Sequence, residues 1–147
     1  MVRRRTDQPP LSSCFVSVLE PYGERRKVRL VERLDTGEKS REHPSEDSIA
    51  LVCHLEDGRV QVYAETGKDV PDLTLDNGLH FQGKAAWVSS RDGNPQHLVL
   101  CGGDLLRYGG WTLRLKQSAD IFEVEVAEGS AKIVTGNPEW VDRLQRD

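Results

Sequence analysis

The side chains able to do chemistry are few and scattered. Four histidines, His43, His54, His80 and His97, have no partner four residues away and no Cys or Asp at metal-ligand spacing. They read as ordinary surface or core residues, and no metal site is assigned. Glu123 and Glu125 in "FEVEVAEG" alternate outward, as a solvated strand face requires. Two carboxylates on one strand face match the separation of a glycosidase pair only loosely. The sequence holds no GxSxG elbow, no phosphate-cradling loop and no dinucleotide fingerprint. "YGGW" (Tyr108 to Trp111) carries two glycines, yet a strand pattern follows it, so no helix terminus awaits an anion there. No catalytic residue and no cofactor is assigned.

The aromatic residues offer binding rather than reaction. Trp87, Tyr108 and Trp111 fall on neighbouring segments of the second half. Rings on a sheet face can stack on sugar rings, burying apolar surface while polar rims meet hydroxyls, so these three are the candidate substrate-binding residues. The alternative is that Trp87 and Trp111 fill the core, since tryptophan is highly buried on average.

Cys14, Cys53 and Cys101 are far apart, each in an apolar run. That is neither a disulfide framework nor a metal pair, and they read as small core hydrophobes. The odd count leans toward a reducing compartment without fixing one.

The chain has 147 residues, enough for one domain with its own core, and 30% of them are charged. Its net charge of −4 argues against nucleic acid, which needs a large excess of Lys and Arg. No apolar run approaches the roughly 18 residues of a membrane helix, and no signal-peptide core is visible. "VRRR" (Val2 to Arg5) is the one basic cluster and reads as a solvated linker.

The elements that must position these residues are strands. In "ALVCHLEDGRVQVYAE", Leu51, Cys53 and Leu55 alternate with Val52 and His54; Asp57-Gly58 turns the chain, and Val60, Val62 and Ala64 return along one face. His54 and His80 are expected on the face opposite the apolar one. Hairpins recur around Asp76-Asn77-Gly78 and Glu128-Gly129, a loop is expected at Arg91 to Gln96, and turns at Gly102-Gly103 and Gly109-Gly110. "EKSREHPSED" (Glu38 to Asp47) reads as an exposed connection. The spacing predicts an all-β protein, an antiparallel β-sandwich of roughly ten to twelve strands. Its divisions are an N-terminal linker over 1–12, the sandwich over 13–136 and a short C-terminal helix over 137–147. That helix would be capped by Asn137, started by Pro138, and laid on the sandwich through Trp140, Val141 and Leu144.

"SSCFVSVLEPYG" (Ser12 to Gly23) reads as a strand apolar on both faces. Cys14, Val16 and Val18 lie on one side, Phe15, Ser17 and Leu19 on the other, and Pro21 ends it. This stretch resembles the opening strand of the C-terminal β-sandwich domain of heparinase II/III-type polysaccharide lyases. "GGDLLRYGGWTLRL" (Gly102 to Leu115) and the hairpin-rich stretch between them extend the likeness over approximately Val2 to Val134. The resemblance implies a parent enzyme that cleaves uronic-acid polysaccharides by β-elimination, using Tyr and His groups and a metal site carried by other domains. None of those residues maps onto this chain. Tyr22, Tyr63 and Tyr108 have no His or Arg visibly placed to assist them as bases.

Three readings follow. The chain is a non-catalytic C-terminal lyase domain, partnered by neighbouring lyase domains, with "VRRR" as the severed linker. Alternatively it is an autonomous carbohydrate-binding module for acidic polysaccharide, or, last in order, a small enzyme whose site assembles only in three dimensions. The first reading expects an apolar patch on the outside of the sandwich.

Overall fold

The computed structural model describes residues 17–20, 25–36, 48–67 and 70–147. Cys14, Pro21, Tyr22, His43, the "VRRR" cluster and the connection at Glu38 to Asp47 lie outside the described residues. Ten strands follow in order: β1 (Val28–Arg33), β2 (Ile49–Leu55), β3 (Arg59–Glu65), β4 (Asp72–Thr74), β5 (His80–Gln82), β6 (Ala85–Arg91), β7 (Asn94–Tyr108), β8 (Trp111–Ala127), β9 (Ser130–Thr135) and β10 (Val141–Arg146).

All of them join one antiparallel sheet. The tight turns arise where the sequence places residues able to take positive φ. Gly58 (+84°) links β2 to β3, Asp92 and Gly93 (+51° and +75°) link β6 to β7, and Glu128 and Gly129 (+51° and +79°) link β8 to β9. Paired positive φ matches the right-handed twist of the flanking strands.

The two long strands decide the architecture. The first part of β7, His97 to Cys101, lies between β6 and the end of β8; its last part, Leu105 to Tyr108, lies between β5 and the start of β8. Between the two parts the register shifts at Gly103/Leu105. The sheet therefore curls into two layers: β1-β2-β3-β6-β7-β8-β9 and β4-β5-β7-β8-β10, with β7 and β8 running through both. The curl is tight enough to bring the two ends of β7 together. A Cβ on Gly109 would come within 2.7 Å of Pro95 Cδ.

The interior is a single cluster drawn from both layers. One wall is a pair of register rows, Ala50–Ala64–Ala86–Leu100–Phe122 and Val52–Val62–Val88–Leu98–Val124, all buried. Leu73, Phe81, Leu106, Trp111 and Leu113 face them from the second layer. The small side chains of the first row leave room for Phe81 and Phe122, both fully buried.

Four sequence expectations need correction. The C-terminal helix over 137–147 is not formed. Asn137 does cap, accepting from Glu139 N at 3.0 Å, but only a single 3-10 turn (Pro138–Trp140) follows. Val141 is already extended (φ −70°, ψ 121°), and the chain continues as β10 on the open edge of β8, pairing Leu144 with Leu113 and Arg146 with Trp111. A ten-residue helix is marginal alone, whereas the free edge of a long strand offers a complete ladder. Gly102-Gly103 is not a turn but the bend inside β7, where glycine lets two backbones touch. A Cβ on Gly103 would collide with the Gln82 carbonyl oxygen and with Gly83 Cα. The apolar alternation of β2 is set the other way. Ala50 and Val52 are buried and Leu51, Cys53 and Leu55 face outward, so His54 lies on the inward-facing line; His80, beside buried Phe81, faces out as expected. Residues 17–20 form no strand, and Val18 and Leu19 are 42% and 89% exposed. Their tie to the fold is the Glu20 carboxylate, which accepts from Lys27 N and, at 2.7 Å, from Val28 N.

Candidate functional site

The three described histidines are held apart, and each meets one carboxylate diagonally across a strand pair. His54 Nε2 lies 2.9 Å from Glu32 Oε2, His80 Nε2 3.6 Å from Asp72 Oδ2, and His97 Nε2 3.4 Å from Glu123 Oε1. No group of three or more His, Cys, Asp or Glu side chains could hold a metal ion among the described residues. Glu123 and Glu125 sit on the same outer face of β8, where Glu123 also accepts from Thr135 Oγ1 at 3.1 Å. Such cross-strand pairs stabilise a sheet surface; among the described residues no nucleophile or second acid–base group converges on any of them.

The three aromatic candidates do not share a face. Trp87 lies on the outer face of β6, half-buried, with His97 beside it at 6.2 Å between ring centres. Tyr108, at the end of β7, is half-buried and its hydroxyl lies 3.3 Å from Oγ of buried Ser90. Trp111 is only 5% exposed and belongs to the core. It also forms the floor of a cleft of about 430 Å³ where the two layers open, beneath Pro95, Gln96, Val126, Glu128 and Arg146.

Sequence reasoning missed the partner of Trp87. Strand register places Tyr63 of β3 directly beside it, and the row continues on both sides as Arg33–Leu51–Tyr63–Trp87–Val99–Glu123. Its middle is apolar and its ends carry opposite charges. On the row below, Val31 is 39% exposed and Cys53 half-buried; on the row above, Ile121 is 53% exposed and Cys101 half-buried. This face is the outside of the first layer, spread over six strands. The clue in the sequence is strands apolar at both parities, as in "ALVCHL" and "AAWV".

The chemistry of the face is that of a binding surface. Tyr63 is 39% exposed and donates to Glu65 Oε2 at 2.9 Å. Burial first, then that hydrogen bond and the charge behind it, push its phenol up to about 12, so it stays protonated and cannot act as a base near neutrality. Burial likewise pushes the Cys53 and Cys101 thiols up, away from the thiolate needed for nucleophilic work.

No family model matches the chain, and neither a curated protein nor a solved structure matches it. Among the described residues, no helix is long and apolar enough to cross a membrane.

Proposed function

We propose that the chain is a non-catalytic accessory domain that works by docking, and that the outer face of its first layer is the surface covered in use. One observation carries this reading: an apolar row, Leu51–Tyr63–Trp87–Val99, flanked by Val31 and Ile121, lies on the outside of a sheet whose other side already holds the core. An apolar outer face is what a domain keeps when another protein surface completes it. The role agrees with the resemblance to the C-terminal domain of heparinase II/III-type lyases, in which other domains carry the reaction. Incubating the chain with alginate or heparin-type glycans tests it. No rise in absorbance from unsaturated uronate is expected, and a rise that scales with protein concentration would make the chain an enzyme.

A second reading has its own support. Trp87 and Tyr63 lie side by side, with Glu65, His97 and Glu123 on their margins, an arrangement that suits stacking on a sugar with hydroxyls held at the rim. In this reading acidic polysaccharide is the partner. Calorimetric titration with acidic and neutral glycans separates the two: binding heat that vanishes in Trp87→Ala supports carbohydrate recognition, and its absence leaves protein docking.

A further inference from the structure

The central row of the outer face is complementary to itself, while in the row below it Val31 stands opposite Glu125 about the same line. The row from Arg33 to Glu123 crosses six of this layer's seven strands, β1-β2-β3-β6-β7-β8, and its midline runs between β3 and β6, between Tyr63 and Trp87; β9 lies beyond Glu123, at Thr135. On one side of that line the row reads Tyr63, Leu51, Arg33; on the other it reads Trp87, Val99, Glu123. Each position thus has a counterpart of matching character: aromatic with aromatic, aliphatic with aliphatic, cation with anion.

We infer that two copies of this chain pair through this face, about a two-fold axis that lies in the interface and runs along the strands between β3 and β6. The inference rests on the face being a docking surface and names its partner. A rotation about that axis reverses the order of the strands and keeps the height of each residue along them. Tyr63 of one copy therefore lies over Trp87 of the other, Leu51 over Val99, and Arg33 over Glu123, each contact made twice. Two sheets packed face to face with strands nearly aligned is a standard arrangement, and the natural sheet twist sets the angle between them.

The charges make the choice specific. Arg33 is exposed and its side chain makes no ion pair or hydrogen bond among the described residues, so its guanidinium is free to reach across. Glu123 is held in place by Thr135 and His97, a pre-oriented acceptor. A slide by one strand would leave Arg33 over Val99 and lose both Arg33–Glu123 contacts. The dimensions fit a reversible dimer. Six strands about 4.8 Å apart and three rows about 7 Å apart cover about 600 Å² per copy, or about 1,200 Å² in total. That is the lower end of stable interfaces, for which a concentration-dependent equilibrium is expected.

Sedimentation equilibrium of the chain across micromolar concentrations should show monomer and dimer in exchange. Arg33→Glu should weaken the dimer at least about tenfold, because two attractive contacts become repulsive. Glu123→Arg should do the same, and the double variant Arg33→Glu/Glu123→Arg should recover most of the loss. Thermal melts of each variant at monomeric dilution separate lost pairing from lost folding, which matters for Glu123 because it also supports β9. A wild-type chain that stays monomeric throughout overturns the pairing. So does a dimer indifferent to all three variants, which would use another surface. Either result leaves docking to a different protein intact, provided Ile121→Lys still abolishes binding of a hydrophobic dye; the loss of that signal's dependence on the face would sink docking itself.

Discussion

At the scale of single residues, Tyr63 links the surface chemistry to stability. Its folded value of about 12 lies above the ordinary 10.0, so it holds its proton more tightly folded than unfolded. The stability this lends is complete below pH 10 and is lost as the pH rises towards 12. Tyr63→Phe is expected to flatten the alkaline limb of a melting-temperature profile over that window, and an unchanged limb would deny the assignment. Asp147 acts at the opposite end of the scale. The Thr112 hydroxyl donates to its Oδ2 at 2.7 Å, and that bond, helped by Gln145 and the Arg143 charge, holds its carboxyl below the usual range. Its contribution is present above the unfolded value and disappears as the pH falls through the lowered one. Asp147→Asn should therefore lower the melting temperature at pH 7 and make less difference at pH 2 to 3, readable by calorimetry. Asp147's role was invisible in the sequence, because the register of β10 on β8 brings Thr112 to it; Tyr63 finds Glu65 two residues along its own strand, and what the sequence hid is its burial.

At the scale of elements, the bend of β7 and the strand β10 carry the lessons. Gly103 has no space for a side chain, so Gly103→Ala should destabilise by about 2–3 kcal/mol, measured by urea unfolding. The same change at Gly110, where a Cβ would meet nothing within 4 Å, should be distinguishable by a smaller cost arising from its φ of +77° alone. The hairpins at Asp57-Gly58 and Glu128-Gly129 were legible because their turns are encoded in adjacent residues. The parity of β2 was not: "IALVCHL" is apolar on both sides, so the choice between Ala50/Val52 and Leu51/Cys53 rests on the partners across the layer. Small Ala50 goes inside because Leu100 and Phe122 occupy the same row. In "NPEWVDRLQR" the cap and the helical spacing are both real, yet the open edge of β8 prevails. A strand and a short amphipathic helix can share one sequence, and the available edge decides. The row from Arg33 to Glu123 joins residues far apart in the chain, so Trp87 and the outward Glu123 were visible one by one but the row was not.

At the scale of the whole molecule, one core lies between layers that share two strands. Leu100 and Phe122 face Leu106 and Leu113 although each pair sits on the same β7–β8 hairpin. Loss of packing in one layer must then loosen the other. Phe122→Ala, in a side chain with no exposure, should cost about 3–5 kcal/mol and lower one transition for the entire molecule. Far-UV circular dichroism and tryptophan fluorescence should follow that transition together, since Trp87 and Trp111 report on different layers. Two separated transitions would mean that the layers hold independently. The all-β antiparallel architecture itself was readable from turn spacing, because β2–β3, β4–β5, β6–β7, β7–β8 and β8–β9 are neighbouring hairpins; the pairings β3–β6, β5–β7 and β8–β10 join strands apart in the chain and were not.

The shared strands also bear on how such a domain can be inherited. A protein made of two separate sheets has a seam along which genes can be spliced, and either half can be exchanged for another. Here β7 and β8 pass through both layers, so any cut between the layers severs the two strands that supply half of the core. Recombination that keeps a folded product has to move the curled sheet as one piece. Variation is then confined to its rim and its outer face, where new partners can be acquired without disturbing the fold.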